Sequence, residues 1–363
     1  MPLDDIRIKI DSIDQQLIQL FADRAELVHE VGVIKKKEGL QIYAPEREDA
    51  LLKKLSKMNA EVGSSLPEKS IRAIYREIMS AALALEDELK IAYLGPSGSW
   101  THQAAVKKFG HSVEYIPQAN FADIFDDVAR RRASYGVVPI ENSTEGAVTH
   151  TLDLLVASPL KICAQILLRI ENCLMANCAR EEIKTIVSHP QVFGQCRDWL
   201  LKNFPEADLV EVSSTAKAAQ IAYEQAGEGV ASMGGALSAE LYGLTLLEKS
   251  VQDRSTNTTR FFIIGEKDCP RTGNDRTSIA FALHDKPGAL VNALKAFEVC
   301  EINLTKIESR PSKQKEWEYI FYADLEGHQD DETVSKAITD LEKHCSMLKI
   351  LGSYPTVTVA TES

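Results

Sequence analysis

Two patterns in this 363-residue chain are suited to chemistry on small anions. The first is a set of cations in the N-terminal quarter. Arg24 and Lys35 are eleven residues apart, and at about 100° per residue they return to within about 20° of each other on one helical stripe. Arg7 lies about 100° off that stripe, and Arg47 opens a later helix in Pro45-Glu46-Arg47-Glu48. A single Lys or Arg usually lies on a solvated face, but four such positions taken together change the odds. The second pattern is a series of short polar loops. These read Gly95-Pro96-Ser97-Gly98-Ser99 with Thr101, Glu141-Asn142-Ser143-Thr144-Glu145-Gly146, Ser188-His189-Pro190-Gln191, Ser213-Ser214-Thr215-Ala216 and Asn257-Thr258-Thr259-Arg260-Phe261. Each alone is an ordinary helix cap. Several converging in one cleft would offer backbone N–H groups and hydroxyls to a small dicarboxylate.

The elements that must position these residues fall into three regions. From Leu3 to Lys90, apolar residues recur three and four apart (Ile6, Ile10, Ile13, Leu17, Leu20, Leu27, Val31, Ile34), which predicts an amphipathic helix of about 35 residues. Gly39 to Pro45 interrupts it, Glu46 to Met58 restarts it, and a third helix runs from Glu68 to about Leu89. A first helix of roughly 50 Å cannot fold back on two short partners, so it should pair with another chain. After Lys90 the texture becomes strand-then-helix. Candidate strands at Ile91–Leu94, Val113–Ile116, Tyr135–Ile140, Thr185–Ser188, Leu209–Val212 and Gly229–Ser232 alternate with helical stretches, which implies an α/β layer with ligands at strand C-terminal ends. A polar stretch from Glu266 to Asp275 leads into a βαββαβ order, that of a ferredoxin-like small domain.

Composition removes several classes of function. Lys+Arg 41 against Asp+Glu 53 gives a net charge of −12, the wrong sign for coating nucleic acid. No apolar run approaches a membrane span, and the N-terminus lacks a signal core, so a cytoplasmic protein is expected. The seven cysteines are scattered without a C-x-x-C pair, which argues for a reducing compartment and against structural zinc. Dinucleotide and P-loop fingerprints are missing, so neither a cofactor nor a metal is expected.

The first region resembles the all-helical chorismate mutase family. The residues that carry the likeness are Ile6-Arg7, Ile13-Asp14, Leu20, Arg24, Val31-Gly32, Lys35 and Pro45-Glu46-Arg47-Glu48. The resemblance implies an intertwined dimer in which Arg24 and Arg47 hold substrate carboxylates and Arg7 enters from the other chain. Lys35 would donate to the ether oxygen of chorismate, and Glu48 would hold a hydroxyl. A pericyclic rearrangement needs no nucleophile, so catalysis rests on holding the reactive conformer and stabilising charge on the breaking C–O bond. Where many relatives have Gln, this chain has Glu86. An ionised carboxylate cannot donate, so Glu86 is expected to work as the neutral acid, with a mutase rate that falls as pH rises. Ala44 and Ala82 stand where some relatives have polar residues.

The middle region is similar to prephenate dehydratase from Ile91 to about Gly265, through Glu141-Asn142-Ser143-Thr144-Glu145-Gly146 and Thr259-Arg260-Phe261. That likeness implies two α/β lobes resembling a periplasmic binding protein. Prephenate would lose its ring hydroxyl and a carboxylate together, driven by aromatisation. Thr259 would stand at the reacting hydroxyl with Arg260 beside it as an anion or positioning group. Glu141, Asn142, Ser143 and Thr144 would orient substrate, and Gln191, Gln195 and Asn257 would add donors. His189 is the rival acid, although a His before Pro at a strand end often just caps backbone.

The third region resembles the ACT regulatory domain through Pro287-Gly288-Ala289-Leu290, Asn303 and Glu308-Ser309-Arg310. That resemblance implies an effector site for L-phenylalanine at Gly288, Ala289, Leu290, Asn303, Glu308, Ser309 and Arg310, shared between chains. The whole chain therefore resembles the bifunctional chorismate mutase/prephenate dehydratase family. Residues 1–90 would be the mutase, 91–267 the dehydratase and 276–355 the sensor, in a homodimer or tetramer acting on chorismate and prephenate. A mutase fused to prephenate dehydrogenase would need the missing dinucleotide fingerprint. A non-catalytic carboxylate or amino-acid sensor remains the alternative, and its mark would be loss of the cations and of Thr259.

Overall fold

The computed structural model describes residues 3–40, 42–254, 256–312 and 318–357. The chain divides into two units, Met1–Lys90 with Phe109–Glu114, and Ile91–Lys108 with Tyr115–Ser363.

The first unit is three helices: α1 (Leu3–Glu38), α2 (Pro45–Glu61) and α3 (Glu68–Glu86). Asp4 and Asp5 lie in the first turn of α1 and Lys35, Lys36 and Lys37 in its last, which suits the helix dipole at both ends. The helix is exposed from Leu3 to Asp23, and burial begins at Arg24. Ile13, Leu17, Leu20 and Phe21 are accordingly open to solvent in the single chain. Further along, α1 meets α3 at Gly32, its one buried residue, where a Cβ would come within 3.1 Å of the Glu86 Cα. That close approach sets Lys35 beside Glu86.

The second unit holds three sheets. The first is built from β1 (Lys90–Leu94), α4 (Trp100–Phe109), β2 (Glu114–Gln118), α5 (Phe121–Ala129), β3 (Tyr135–Asn142), β4 (Gly146–Ala147), α6 (Thr149–Ala157) and β5 (Lys161–Arg169). The second lobe follows with β6 (Cys173–Ala176), β7 (Thr185–Ser188), α7 (Pro190–Gln195), α8 (Arg197–Asn203) and β8 (Asp208–Glu211). It ends with α9 (Thr215–Glu224), β9 (Val230–Gly234), α10 (Ala236–Tyr242) and β10 (Thr245–Glu248). The chain then returns as β11 (Thr258–Gly265), inserted between β3 and β5, so the first sheet reads β2-β1-β3-β11-β5. Two crossings, residues 170–172 and 249–257, therefore join the lobes. The second sheet reads β10-β6-β9-β7-β8.

Strict alternation of strand and helix was the expectation, and β5, β6 and β11 depart from it. No helix separates β5 from β6, and β11 lies antiparallel to both β3 and β5. Buried on both sides, β5 and β6 read as apolar runs without the alternation that marks a half-buried strand.

The third sheet has the order β13-β14-β12-β15 and completes the βαββαβ pattern. Its elements are β12 (Asp275–Leu283), α11 (Ala289–Val299), β13 (Leu304–Pro311), β14 (Tyr319–Glu326), α12 (Glu332–Glu342) and β15 (Cys345–Pro355). One face packs on α11 and α12 through Ile279, Phe281, Phe297 and Leu325. The other shares a core with the first lobe, in which Tyr322, Leu351 and Tyr354 pack with Leu152, Leu155 and Phe262.

Gly352 makes that second face possible. Its φ is 147°, and a Cβ there would lie 2.4 Å from the Ile162 carbonyl oxygen on β5. Gly352→Ala is therefore expected to push β15 off β5 and destabilise the second unit by about 2–4 kcal/mol, adding backbone strain to overpacking. Chemical denaturation followed by tryptophan fluorescence measures this, and an unchanged midpoint would contradict the close approach.

Candidate active sites

In the first unit, a cavity of about 120 Å³ is lined by Arg24, Lys35, Arg47, Glu48 and Glu86, all marked by their positions in the sequence. The helices explain the convergence. The one-stripe spacing of Arg24 and Lys35 turns both toward α3, and Pro45 at the start of α2 fixes where Arg47 and Glu48 emerge. Apolar walls come from Val28, Val31, Leu51 and Met79. Ala44 and Ala82 line the cavity too, so it is less polar than a site with side chains that hydrogen-bond there. Glu48 is nearly buried and faces Arg76 at 3.8 Å, a cation that reads in the sequence, with Lys69 and Arg72, as one of the solvated charges of α3.

Arg7, expected to enter from another chain, does not line the cavity of its own. Arg7 is two-thirds exposed and pairs with Asp4 at 3.6 Å. Seventeen residues separate it from Arg24, about 25 Å along the helix axis, so it cannot reach this cavity within its own chain. Glu86 lines the cavity beside Lys35. Its Oε2 accepts from Lys35 Nζ at 2.7 Å, while Lys35 also donates to the Ile42 carbonyl at 2.8 Å. Lys35 is the donor of this contact, which engages one of the two Glu86 oxygens.

The second unit gathers another cluster at the mouth of β11. Asn142 Nδ2 donates to Thr259 Oγ1 at 2.8 Å and to Asn257 Oδ1 at 2.9 Å. Asn142 Oδ1 accepts from the backbone N–H groups of Thr144 at 2.9 Å and Glu145 at 3.2 Å. Those N–H groups fix the amide orientation, since only its oxygen can face them. Ser143 ties the same loop to β11, accepting from the Thr258 N–H at 3.0 Å and donating to the Thr256 carbonyl. Thr259 and Asn257 are both buried. Gln191, at the start of α7, donates to Glu145 and so bridges the two lobes. Gln195 receives the side-chain amide of Asn172 at 3.0 Å, beside the first crossing. Asn172 is fully buried and was missed, because beside Arg169 and Glu171 it reads as one more polar residue of a connecting turn. His189 Nδ1 accepts from the Gln191 N–H, which makes it the cap of α7.

Glu141 and Arg260 were expected at the same site, and the structure moves them away from it. Consecutive residues of a strand point to opposite faces of the sheet. Thr259 pairs with Asn142 in register and Arg260 with Glu141, so one pair faces the cleft and the other faces away. Arg260 is buried and donates to Gln165 at 2.9 Å, Asp324 at 2.5 Å and Tyr354 at 2.8 Å. Burial works against its charge, but Tyr354 and Asp324 outweigh that and hold its pKa above the usual arginine value. Glu141 pairs with Lys306 of β13 at 2.9 Å.

In the third domain, Gly288, Ala289 and Leu290 line an open cavity of about 640 Å³ with His284, Asp285 and Tyr319. Gly288 has φ 79° at the start of α11, a conformation that favours glycine. The other expected effector residues do not line it. Asn303 donates to Glu326 at 3.2 Å, and Glu308 and Ser309 lie on β13, paired with Tyr322 and Phe321 of β14. Arg310 points into the first lobe, 3.0 Å from Asp153. The reason is again alternation, which turns Lys306, Glu308 and Arg310 to one face of β13.

Among the described residues there is no helix long and apolar enough to cross a membrane and no cluster of potential metal ligands.

Comparison with known proteins matches the chain to three families in succession. The chorismate mutase type II family model matches residues 6–87, the prephenate dehydratase model residues 91–269 and the ACT domain model residues 277–343. A bifunctional chorismate mutase/prephenate dehydratase from Aquifex aeolicus is 45% identical over 355 residues, 97% of this chain and 98% of that one. One of the same description from Neisseria gonorrhoeae is 40% identical, covering 96% of each chain. The solved structure of a prephenate dehydratase from Arthrobacter aurescens, in complex with L-Phe, matches with a TM-score of 0.68 and 33% identity. It covers 75% of this chain and 94% of that one.

Proposed function

Because this chain belongs to the bifunctional chorismate mutase/prephenate dehydratase family, we infer from its geometry how three regions share the work. The enzyme rearranges chorismate to prephenate and converts prephenate to phenylpyruvate, water and carbon dioxide, two steps of phenylalanine biosynthesis. Residues 1–90 carry out the first step, 91–267 the second, and 276–355 sense L-phenylalanine. The observation that carries the reading is the cavity lined by Arg24, Lys35 and Arg47, which a non-catalytic sensor has no reason to keep.

In the mutase cavity, Arg24 and Arg47 take the two carboxylates of chorismate, for which a guanidinium fork is well matched. Lys35 gives a point charge to the ether oxygen as the C–O bond breaks. Glu86 then serves as the acceptor that aims Lys35. The exposed apolar residues of α1 support a homodimer or tetramer in which a partner's copy of this helix covers them and supplies the Arg7 cation.

In the dehydratase cleft, Thr259 hydrogen-bonds the departing ring hydroxyl. Its Oγ1 accepts from Asn142, which leaves its own proton to be donated elsewhere. Taking up one proton from solvent along this hydrogen bond, the ring hydroxyl leaves as water while the bond from the ring to its carboxylate breaks to release carbon dioxide, and the electron pair of that bond completes the aromatic ring of phenylpyruvate. Asn142 and Asn257 hold Thr259 in this orientation. L-Phenylalanine binds at the start of α11 with its carboxylate on helix N–H groups, and restrains the dehydratase. None of the seven cysteines is in a disulfide, which suits the reducing cytoplasm.

The test supplies the purified full chain with chorismate, then with prephenate, and follows phenylpyruvate with and without L-phenylalanine. Conversion of both substrates, with the second suppressed by L-phenylalanine, is the expected result. Prephenate left untouched would reduce the middle region to a binding module.

A further inference from the structure

We propose that β13 grips the substrate loop of the dehydratase, with Lys306 and Arg310 as positioning residues, and that this grip is how the third domain acts on catalysis. The proposal rests on the dehydratase and L-phenylalanine assignments above and adds to them the coupling element. Along β13, Lys306, Glu308 and Arg310 are half-buried while Thr305, Ile307 and Ser309 are exposed. Lys306 Nζ lies 2.9 Å from Glu141 Oε2, one residue before Asn142. Arg310 Nη1 lies 3.0 Å from Asp153 Oδ1 and donates to the Thr149 carbonyl at the start of α6. Between these two anchors runs the segment 141–153, which carries Asn142, Ser143, Thr144 and Glu145.

The neighbouring strands complete the hold. Tyr322 Oη of β14 donates to the Leu152 carbonyl. Lys349 Nζ of β15 donates to the carbonyls of Leu155 at 2.9 Å and Val156 at 2.8 Å, and to that of Ser158. Those are the unpaired carbonyls at the C-terminal end of α6, where an ammonium is also favoured by the helix dipole. The same sheet thus holds α6 at both ends. Arg260 adds a tie beside Thr259 through Asp324. Packed helices and strands move as units, so a displacement of β13 is passed to Asn142 and from there to the Thr259 hydroxyl.

Full-length Arg310→Met, Asp153→Asn and the double variant test this, alongside Lys306→Met and Lys306→Arg. The measurements are dehydratase kcat and KM, the L-phenylalanine inhibition midpoint, L-phenylalanine binding by calorimetry, and mutase rate. Arg310→Met is expected to raise both the KM for prephenate and the inhibition midpoint about tenfold, the scale of one charged hydrogen bond. L-Phenylalanine should still bind within about twofold, and the mutase rate should hold. The double variant should be no worse than the worse single, since both remove one contact. Lys306→Met should behave like Arg310→Met, while Lys306→Arg stays near wild type. Unchanged KM and midpoint in both Met variants would overturn the proposal. Loss of L-phenylalanine binding in Arg310→Met would overturn it too, by placing Arg310 in the effector pocket. A wild-type chain that dehydrates prephenate but ignores L-phenylalanine would remove the effector reading and with it the coupling claim, and the KM values would still decide the positioning claim.

Discussion

Thr259→Ala is expected to lower the dehydratase kcat by about 10²- to 10⁴-fold, the range for a positioned proton or hydrogen-bond donor, and to leave the mutase rate unchanged. The argument starts from Asn142. Its oxygen is committed to the backbone N–H groups of Thr144 and Glu145, so its NH₂ must face Asn257 and Thr259. Thr259 Oγ1 is thereby made an acceptor on one side and directs its single proton to the other. Thr259→Ser keeps that proton and should stay within about tenfold of wild type, whereas the isosteric Thr259→Val should fail like alanine. Asn142→Asp is the sharper variant. A carboxylate cannot donate, so Thr259 would turn its proton to Asp in place of substrate, and kcat should fall nearly as far as in Thr259→Ala. Steady-state rates with prephenate decide it. Full activity in Thr259→Val would remove the hydroxyl from the mechanism.

The face on which Thr259 works was legible in the sequence, and the expectation for Arg260 overlooked it. Neighbours on a strand cannot both enter one cleft. Thr259-Arg260 and Glu141-Asn142 each obey that parity, with one member toward the cleft and one toward the third domain. What the sequence could not indicate is where the second members go. Asp324 and Tyr354, the partners of Arg260, lie 64 and 94 residues away, and no local pattern links them. The helical region was easier to read. Its 3.6-residue period placed Arg24 and Lys35 on one stripe, and the resulting cavity does hold both. The Lys35–Glu86 pair was hidden because it depends on Gly32 letting α1 and α3 approach. A lone glycine in a helix carries no label saying which helix it admits. The same limit explains β5 and β6, whose burial on both faces erased the alternation that betrays a strand.

Lys35→Ala is the second large effect. Mutase kcat/KM should fall by about 10³-fold, more than loss of a single neutral donor, while dehydratase activity measured with prephenate stays at wild-type level. Two contributions add. The variant loses the ammonium that stabilises the ether oxygen as negative charge develops on it. It also leaves Glu86, now without the ion pair at 2.7 Å, as an uncompensated and largely buried carboxylate facing a dianionic substrate. The two contributions separate in the double variant. Adding Glu86→Gln to Lys35→Ala removes the stray charge without restoring the donor, so it should recover part of the lost rate but not all of it. Lys35→Arg should recover little, because a planar fork cannot match one ammonium that serves the ether oxygen, Glu86 and the Ile42 carbonyl together. Initial rates of chorismate disappearance give the answer. A double variant as slow as Lys35→Ala would leave the ammonium as the whole effect, and loss of prephenate turnover in any of these would show that the two sites are not separate.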